Sequence, residues 1–204
     1  MTIILVIIIS LISYMAFNNH ELFYKLQFNP YQVYHRKQWY RIISHGFLHA
    51  DWTHLIVNML VLWSFGTAVE RYFMELEQMG MLKFPRLIFL LYFLVGIILS
   101  SLSTLVKHRD NHHYNSVGAS GAVSAIVFTS IFFAPLSKVY FYLVIPIPGI
   151  IFGILYLVYS QYMSKKNKDN INHDAHFYGA VFGFFFPLVI DVDLINIFLN
   201  GLHF

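Results

Sequence analysis

Ser120 and His176 lie far apart along the chain, but they are the residues whose types suit nucleophilic chemistry. A serine hydroxyl attacks poorly until a base takes its proton, and an imidazole within hydrogen-bond reach is such a base. Two further polar residues, His54 and Asn58, stand four positions apart, which puts both side chains on one face if the segment is helical. With no cysteine in 204 residues, disulfides, thiolate metal sites and cysteine nucleophiles are excluded together. Any chemistry then falls to hydroxyl, imidazole or carboxylate groups.

The elements that must carry these groups follow from composition. The chain is 58% hydrophobic and 11% charged, with 21 Phe and a mean hydropathy of +0.61. A soluble domain carries roughly 25% charged residues, so the expectation is one all-α polytopic domain, residues 1–204, with the lipid bilayer as its solvent and partner. Net charge +3 arises from 13 Lys/Arg scattered between apolar runs. No basic stripe could follow a phosphate backbone, so nucleic acid is excluded as a partner.

Six spans are expected: about Thr2 to Phe17, Thr53 to Tyr72, Phe84 to Val106, Gly118 to Ala134, Pro148 to Met163 and His173 to Ile190, with both termini on one side. The first run has no basic n-region and no cleavage site, so it reads as a retained helix. Asn18 to Trp52 is polar and rich in aromatic rings, among them Tyr24, Tyr31, Tyr34, Trp39 and Tyr40, and reads as a partly folded interfacial loop. Asp110 to Asn115 and Ser164 to Asn172 are polar connections. Val139 to Ile145 is apolar but too short to cross, and Pro146 and Pro148 interrupt helical bonding there. Pro148 suits the first turn of the fifth helix. Asp191 to Phe204 reads as an interfacial tail.

A polar side chain inside a span is costly and therefore a functional hypothesis. The second, fourth and sixth spans begin on one side, and each carries its polar group near that end: His54 with Asn58, Ser120, and His176. At 1.5 Å per residue they share a depth of roughly 5–10 Å. Small residues Gly118, Ala119, Gly121, Ala122, Ser124 and Ala125 give the fourth helix a low profile. Ala175, Gly179 and Gly183 do the same for the sixth, and His176 shares a face with both glycines. Taken singly, a serine in a span back-bonds to a carbonyl, His54 is an interfacial histidine and Asn58 is interhelical glue. Convergence of three spans at one depth favours chemistry.

Read in order, these residues resemble the rhomboid family of intramembrane serine proteases, from Tyr40 to about Gly183. Arg41, His45, His49, His54 and Asn58 keep the family spacing into its second helix. Gly66 with Glu70-Arg71 looks like its GxxxE segment, Gly118-Ala119-Ser120-Gly121 like GxSG, and Ala175-His176 with Gly179 and Gly183 like AHxxGxxxG. Ile145-Pro146-Ile147-Pro148 looks like the loop before its fifth helix. The resemblance implies a six-helix rhomboid-like bundle that hydrolyses peptide bonds within or next to transmembrane segments of protein substrates, without cofactor or metal. It makes Ser120 the nucleophile and His176 the general base, and it makes an oxyanion hole of His54, Asn58 and the Ser120 backbone N–H. His45 and His49 become structural residues of the first loop, with His49 at the site entrance. Asp174, about 200° around the helix from His176, reads as a solvated residue at a helix start rather than a triad member. Two departures stand out. Ser124 occupies the position where some relatives place a tyrosine that stacks on the catalytic histidine, and Tyr40 replaces the tryptophan of a Trp-Arg pair.

Loops one, three and five hold nine Lys/Arg (Lys25, Arg36, Lys37, Arg41, Lys107, Arg109, Lys165, Lys166, Lys168) against four elsewhere (Arg71, Lys83, Arg86, Lys138). The positive-inside rule would turn those loops to the cytoplasm. The resemblance implies the opposite, a cell-membrane protein whose site opens to the extracytoplasmic side, and that orientation is expected here. The main competing reading is a di-iron oxygenase, because His45/His49, His108/His112/His113 and His173/His176 mimic histidine boxes. It leaves the glycines at 118, 121, 179 and 183 without a purpose. A rhomboid-like binding protein without catalysis is disfavoured by the presence of both Ser120 and His176.

Overall fold

The computed structural model describes residues 1–141, 144–166 and 171–203. Lys168, the middle of the loop Ser164 to Asn172, Tyr142 and Leu143 of the short apolar segment, and Phe204 of the tail lie outside the described residues. The chain is mostly helical, and apolar length with proline placement sets where its helices run. Helix α1 spans Thr2–Phe17. Three short helices follow: α2 (His20–Leu26), α3 (Pro30–Arg36) and α4 (Arg41–Ser44). The main body contains α5 (Trp52–Gln78), α6 (Pro85–His108), α7 (Ser120–Phe133), α8 (Gly149–Lys166) and α9 (His173–Ile190), with α10 (Ile195–Asn200) at the end. Strands β1 (Lys138–Phe141) and β2 (Ile145–Pro148) pair antiparallel, with Lys138 opposite Pro148.

Among the described residues, α5 and α6 are long and apolar enough to cross a membrane; α9 passes the same test only with Val192–Asn200, a pair bent by 118°. Helices α1 and α7 are shorter and apolar. Several boundaries differ from expectation. The second helix runs on to Gln78 through Glu70, Arg71, Glu75 and Glu77, because charged residues beyond the apolar run do not break a helix. The fourth starts at Ser120 rather than Gly118, whose φ of +122° lies outside helical conformations. The tail is not merely interfacial. Leu194 is buried, and Phe198 stacks on Phe132 (5.5 Å) and meets Phe184 edge-on (5.2 Å), closing one end of α7 and α9.

Helix α7 is the centre, buried continuously from Gly121 to Thr129 and again from Ile131 to Phe133. A helix apolar all round belongs inside a bundle. Its contact with α9 is backbone to backbone. A Cβ on Gly179 would strike Gly121, 2.8 Å from its carbonyl carbon, and one on Gly183 would strike the Ala125 backbone. The contact is pinned by Thr129, whose hydroxyl donates to the Gly183 carbonyl (2.6 Å) and meets the Tyr92 hydroxyl of α6 (2.6 Å).

Helix α1 is moored to α5 through Glu70, which accepts from the Thr2 N–H (2.9 Å) and Thr2 Oγ1 (2.8 Å). A carboxylate there satisfies orphan donors at the positive end of α1. Gly66 permits the approach, since a Cβ on it would lie 2.9 Å from Thr2 Cγ2. The first loop is held by buried Arg41, which donates to the carbonyls of Tyr24 and Gln27 (2.8 Å each) and to Gln38 Oε1 (2.6 Å). The Tyr40 ring lies 5.5 Å from its guanidinium carbon. Where α9 meets α7, the Cβ of an alanine would meet backbone, which cannot rotate away. Gly183→Ala is therefore expected to lower stability by about 1–3 kcal/mol. Thermal unfolding in detergent checks this, and a melting temperature equal to wild type contradicts it.

Candidate active site

Gly118 is the hinge of the site. Its N–H donates to the His45 carbonyl (3.0 Å), and its positive φ turns the chain sharply into α7. The position of its missing Cβ lies 2.9 Å from His54 Nε2 and 3.7 Å from Ser120 Oγ, so glycine makes room for the His54 ring beside Ser120. Ser120 is the first residue of α7, where backbone N–H groups have no intrahelical acceptor and the helix presents its positive end.

His54 is oriented from behind. Asp51 caps α5 by accepting from the His54 N–H (2.8 Å), and the Ala50 N–H points at His54 Nδ1 (3.4 Å). With Nδ1 accepting, the neutral ring carries its proton on Nε2, the atom beside Gly118 and Ser120. Asn58 is buried and donates one amide hydrogen to the His54 carbonyl (2.9 Å), fixing its carboxamide one turn deeper.

His176 comes from α9 beside its close contact with α7. A Cβ on Gly121 would lie 3.3 Å from the Ala175 carbonyl oxygen, and Gly179 abuts Gly121 in turn. Ser120 and His176 are thus each the immediate neighbour of a residue in direct helix-to-helix contact. The His176 ring is half-buried and stacks with Tyr156 of α8 at 6.3 Å between centroids and 17° between planes.

A family model described as the Rhomboid domain matches residues 36–191. The chain belongs to the rhomboid family. It is 30% identical over 154 residues to RHOMBOID-like protein 12, mitochondrial, of Arabidopsis thaliana, covering 68% of this chain and 43% of that protein. It is 30% identical over 148 residues to Rhomboid protease GluP of Bacillus subtilis (strain 168), covering 72% of this chain and 25% of that one. A third relative, Rhomboid-like protein 11, chloroplastic, of Arabidopsis thaliana, is 34% identical over 100 residues, 48% of this chain and 31% of its own. The chain therefore spans less than half the length of these relatives. Rhomboid membership and the apolar helices make it an integral membrane protein.

The remaining rhomboid motif residues take supporting places. His45 is buried, with Nδ1 2.9 Å from the Arg41 carbonyl and Nε2 3.3 Å from Ser101 Oγ, tying the first loop to α6. His49 is fully buried; Nδ1 meets Ser13 Oγ (2.9 Å), and its ring stands edge-on to His54 (4.9 Å). Asp174 is not simply solvated: it accepts from Lys107 Nζ (2.9 Å) and from Ser164 Oγ, joining α6, α8 and α9. Tyr114 stacks on His108 (3.9 Å), and Tyr178 is exposed. The histidine boxes of the oxygenase reading are dispersed; among the described residues, no three His, Cys, Asp or Glu side chains group as metal ligands would. Tyr156, which the sequence did not single out, meets the Ser124 hydroxyl (2.6 Å).

Burial pushes His45 down to about 4; burial, with the nearby His54, pushes His49 down to about 3. Both imidazoles fold neutral, whereas in the unfolded chain they take up protons below about 6.5. Their contribution is complete above that value and is lost as pH falls from it toward 4, by up to about 1.4 kcal/mol per pH unit for each. Melting temperature should accordingly fall between pH 7 and 4.5. A flat profile across that interval contradicts the assignment of both rings as buried and neutral.

Proposed function

We propose that this protein is an intramembrane serine protease that hydrolyses peptide bonds within or next to transmembrane segments of protein substrates, using Ser120 and His176 as a dyad and no cofactor. The observation that carries this reading is the junction at Gly118. There the missing Cβ of Gly118 lies 2.9 Å from His54 Nε2 and 3.7 Å from Ser120 Oγ, and Gly121 lies beside the carbonyl of Ala175, the residue before His176, which supports a shared site at the start of α7. The kinship with a protein named as a rhomboid protease supports it.

In this mechanism Ser120 Oγ attacks the substrate carbonyl while His176 takes the hydroxyl proton. The tetrahedral oxyanion is received by the Ser120 N–H, by His54 Nε2–H and by the second amide hydrogen of Asn58. His176 returns the proton to the leaving amine, and an ester to Ser120 remains. Water, deprotonated by the same imidazole, then hydrolyses that ester. Asp174 takes no part, because its carboxylate is engaged by Lys107 and Ser164.

For membrane placement we propose six spans, α1 and α5 to α9, with the mouth of the site on the extracytoplasmic side of a cell membrane. The excess of Lys/Arg in loops one, three and five weighs less than its count of nine. Arg41 is buried within loop one, Lys107 pairs with Asp174 (2.9 Å) and Arg109 with Asp110 (3.4 Å).

The test is a transmembrane reporter substrate in detergent. Wild-type protein is expected to cleave it and Ser120→Ala to leave it intact while remaining folded; undiminished cleavage by that variant overturns the dyad. A fluorophosphonate probe should label Ser120 in a His176-dependent manner. Removing one oxyanion donor, Asn58→Ala, should slow turnover about a hundredfold. Asp174→Asn should retain most activity, and a loss as deep as that of Ser120→Ala would make Asp174 a triad member.

A further inference from the structure

An imidazole that must accept a proton from one atom and deliver it to another needs a fixed plane, and a displacement of about 1 Å can cost on the order of a hundredfold in rate. Four residues past Ser120 on α7 stands Ser124, too short to support a ring. Its hydroxyl instead meets the Tyr156 hydroxyl at 2.6 Å, and the Tyr156 ring lies parallel to His176. We propose that Tyr156 of α8 is the positioning residue for the catalytic histidine, supplying from a third helix the aromatic face that α7 lacks. The proposal rests on the dyad reading above.

Three features hold Tyr156 for this task. The Ser124 bond fixes its phenolic end on α7. Phe128 (5.7 Å) and Phe152 (5.9 Å) flank its ring. Gly153, on the preceding turn, seats α8 against α7, since a Cβ there would already lie 3.3 Å from the Phe128 ring and 3.4 Å from Ile131. The centroid separation and parallel planes at His176 fall within the range of offset-stacked rings. Because the ring belongs to α8, the alignment of the base depends on α8 staying docked against α7 and α9.

The experiment compares wild type with Tyr156→Leu, Tyr156→Phe and Ser124→Ala on the transmembrane reporter, with Ser120→Ala as the inactive reference and thermal unfolding of each as the folding check. Tyr156→Leu keeps an apolar side chain but removes the plane; kcat should fall about tenfold to a hundredfold with KM within about twofold, and fluorophosphonate labelling of Ser120 should slow in proportion. Tyr156→Phe keeps the plane and should recover to within about threefold of wild type; Ser124→Ala should lose a similarly small factor. Tyr156→Leu at wild-type kcat, or Tyr156→Phe as impaired as Tyr156→Leu, overturns the proposal. Should Tyr156→Leu unfold, Tyr156→Met replaces it under the same criteria. Cleavage by wild type equal to that by Ser120→Ala would instead defeat the dyad reading itself, so the two failures are told apart.

Discussion

The structure depends on one contact made without side chains. At Gly121 against Gly179, and at Ala125 against Gly183, α7 and α9 touch through their backbones. In lipid, where apolar side chains gain little by leaving the solvent, such close approach is what allows dispersion and interhelical hydrogen bonds to hold helices together. Thr129 exploits the approach by reaching the Gly183 carbonyl, and Tyr92 extends that bond to α6. The same approach brings the segments bearing Ser120 and His176 side by side. Tight packing of α7 on α9 and the adjacency of those two segments are therefore one property of the glycine spacing.

The second constraint is that polar groups must be satisfied where water is scarce. Loop one meets it by folding around Arg41 and by lending the His45 carbonyl to the N–H of Gly118, so the turn that presents Ser120 is fastened to a structured cap. Loop one reaches the same segment again through the Phe28 and Ser116 bridge. His49 links that cap to α1 through Ser13, and Glu70 moors the other end of α1. Residues spread over loop one, α1 and α5 thus define the Gly118 junction.

Much of this was legible in the residues. The apolar runs Thr2–Phe17 and His173–Ile190 are helices over those same bounds, because length, apolar content and flanking polar residues all agree there. The small-residue pattern of α7 and α9 announced their contact, and Gly118 needed glycine for both conformation and space. What could not be read depends on which faces meet. Helix α8 is apolar around most of its circumference, so no periodicity singles out Tyr156 as its inward residue. Asp174 looked solvated because its partner Lys107 is remote in sequence. Pro146 and Pro148 ruled out helical bonding there without disclosing that Ile145–Pro148 pairs with Lys138–Phe141, or that the helix starts only at Gly149. Nor did the short tail disclose its sharp bend, which is set by Leu194 and Phe198 finding the end of α7.

The central claim is that Ser120 and His176 share one pocket, and the cysteine-free sequence allows a direct test. Ser120→Cys combined with His176→Cys, treated in native membranes with an oxidant or a short bifunctional thiol reagent, should form an intramolecular cross-link. Ser120→Cys with Tyr178→Cys, whose second position is exposed and about 200° around α9 from His176, should not. Absence of the 120–176 cross-link while the 120–178 pair reacts would contradict the account.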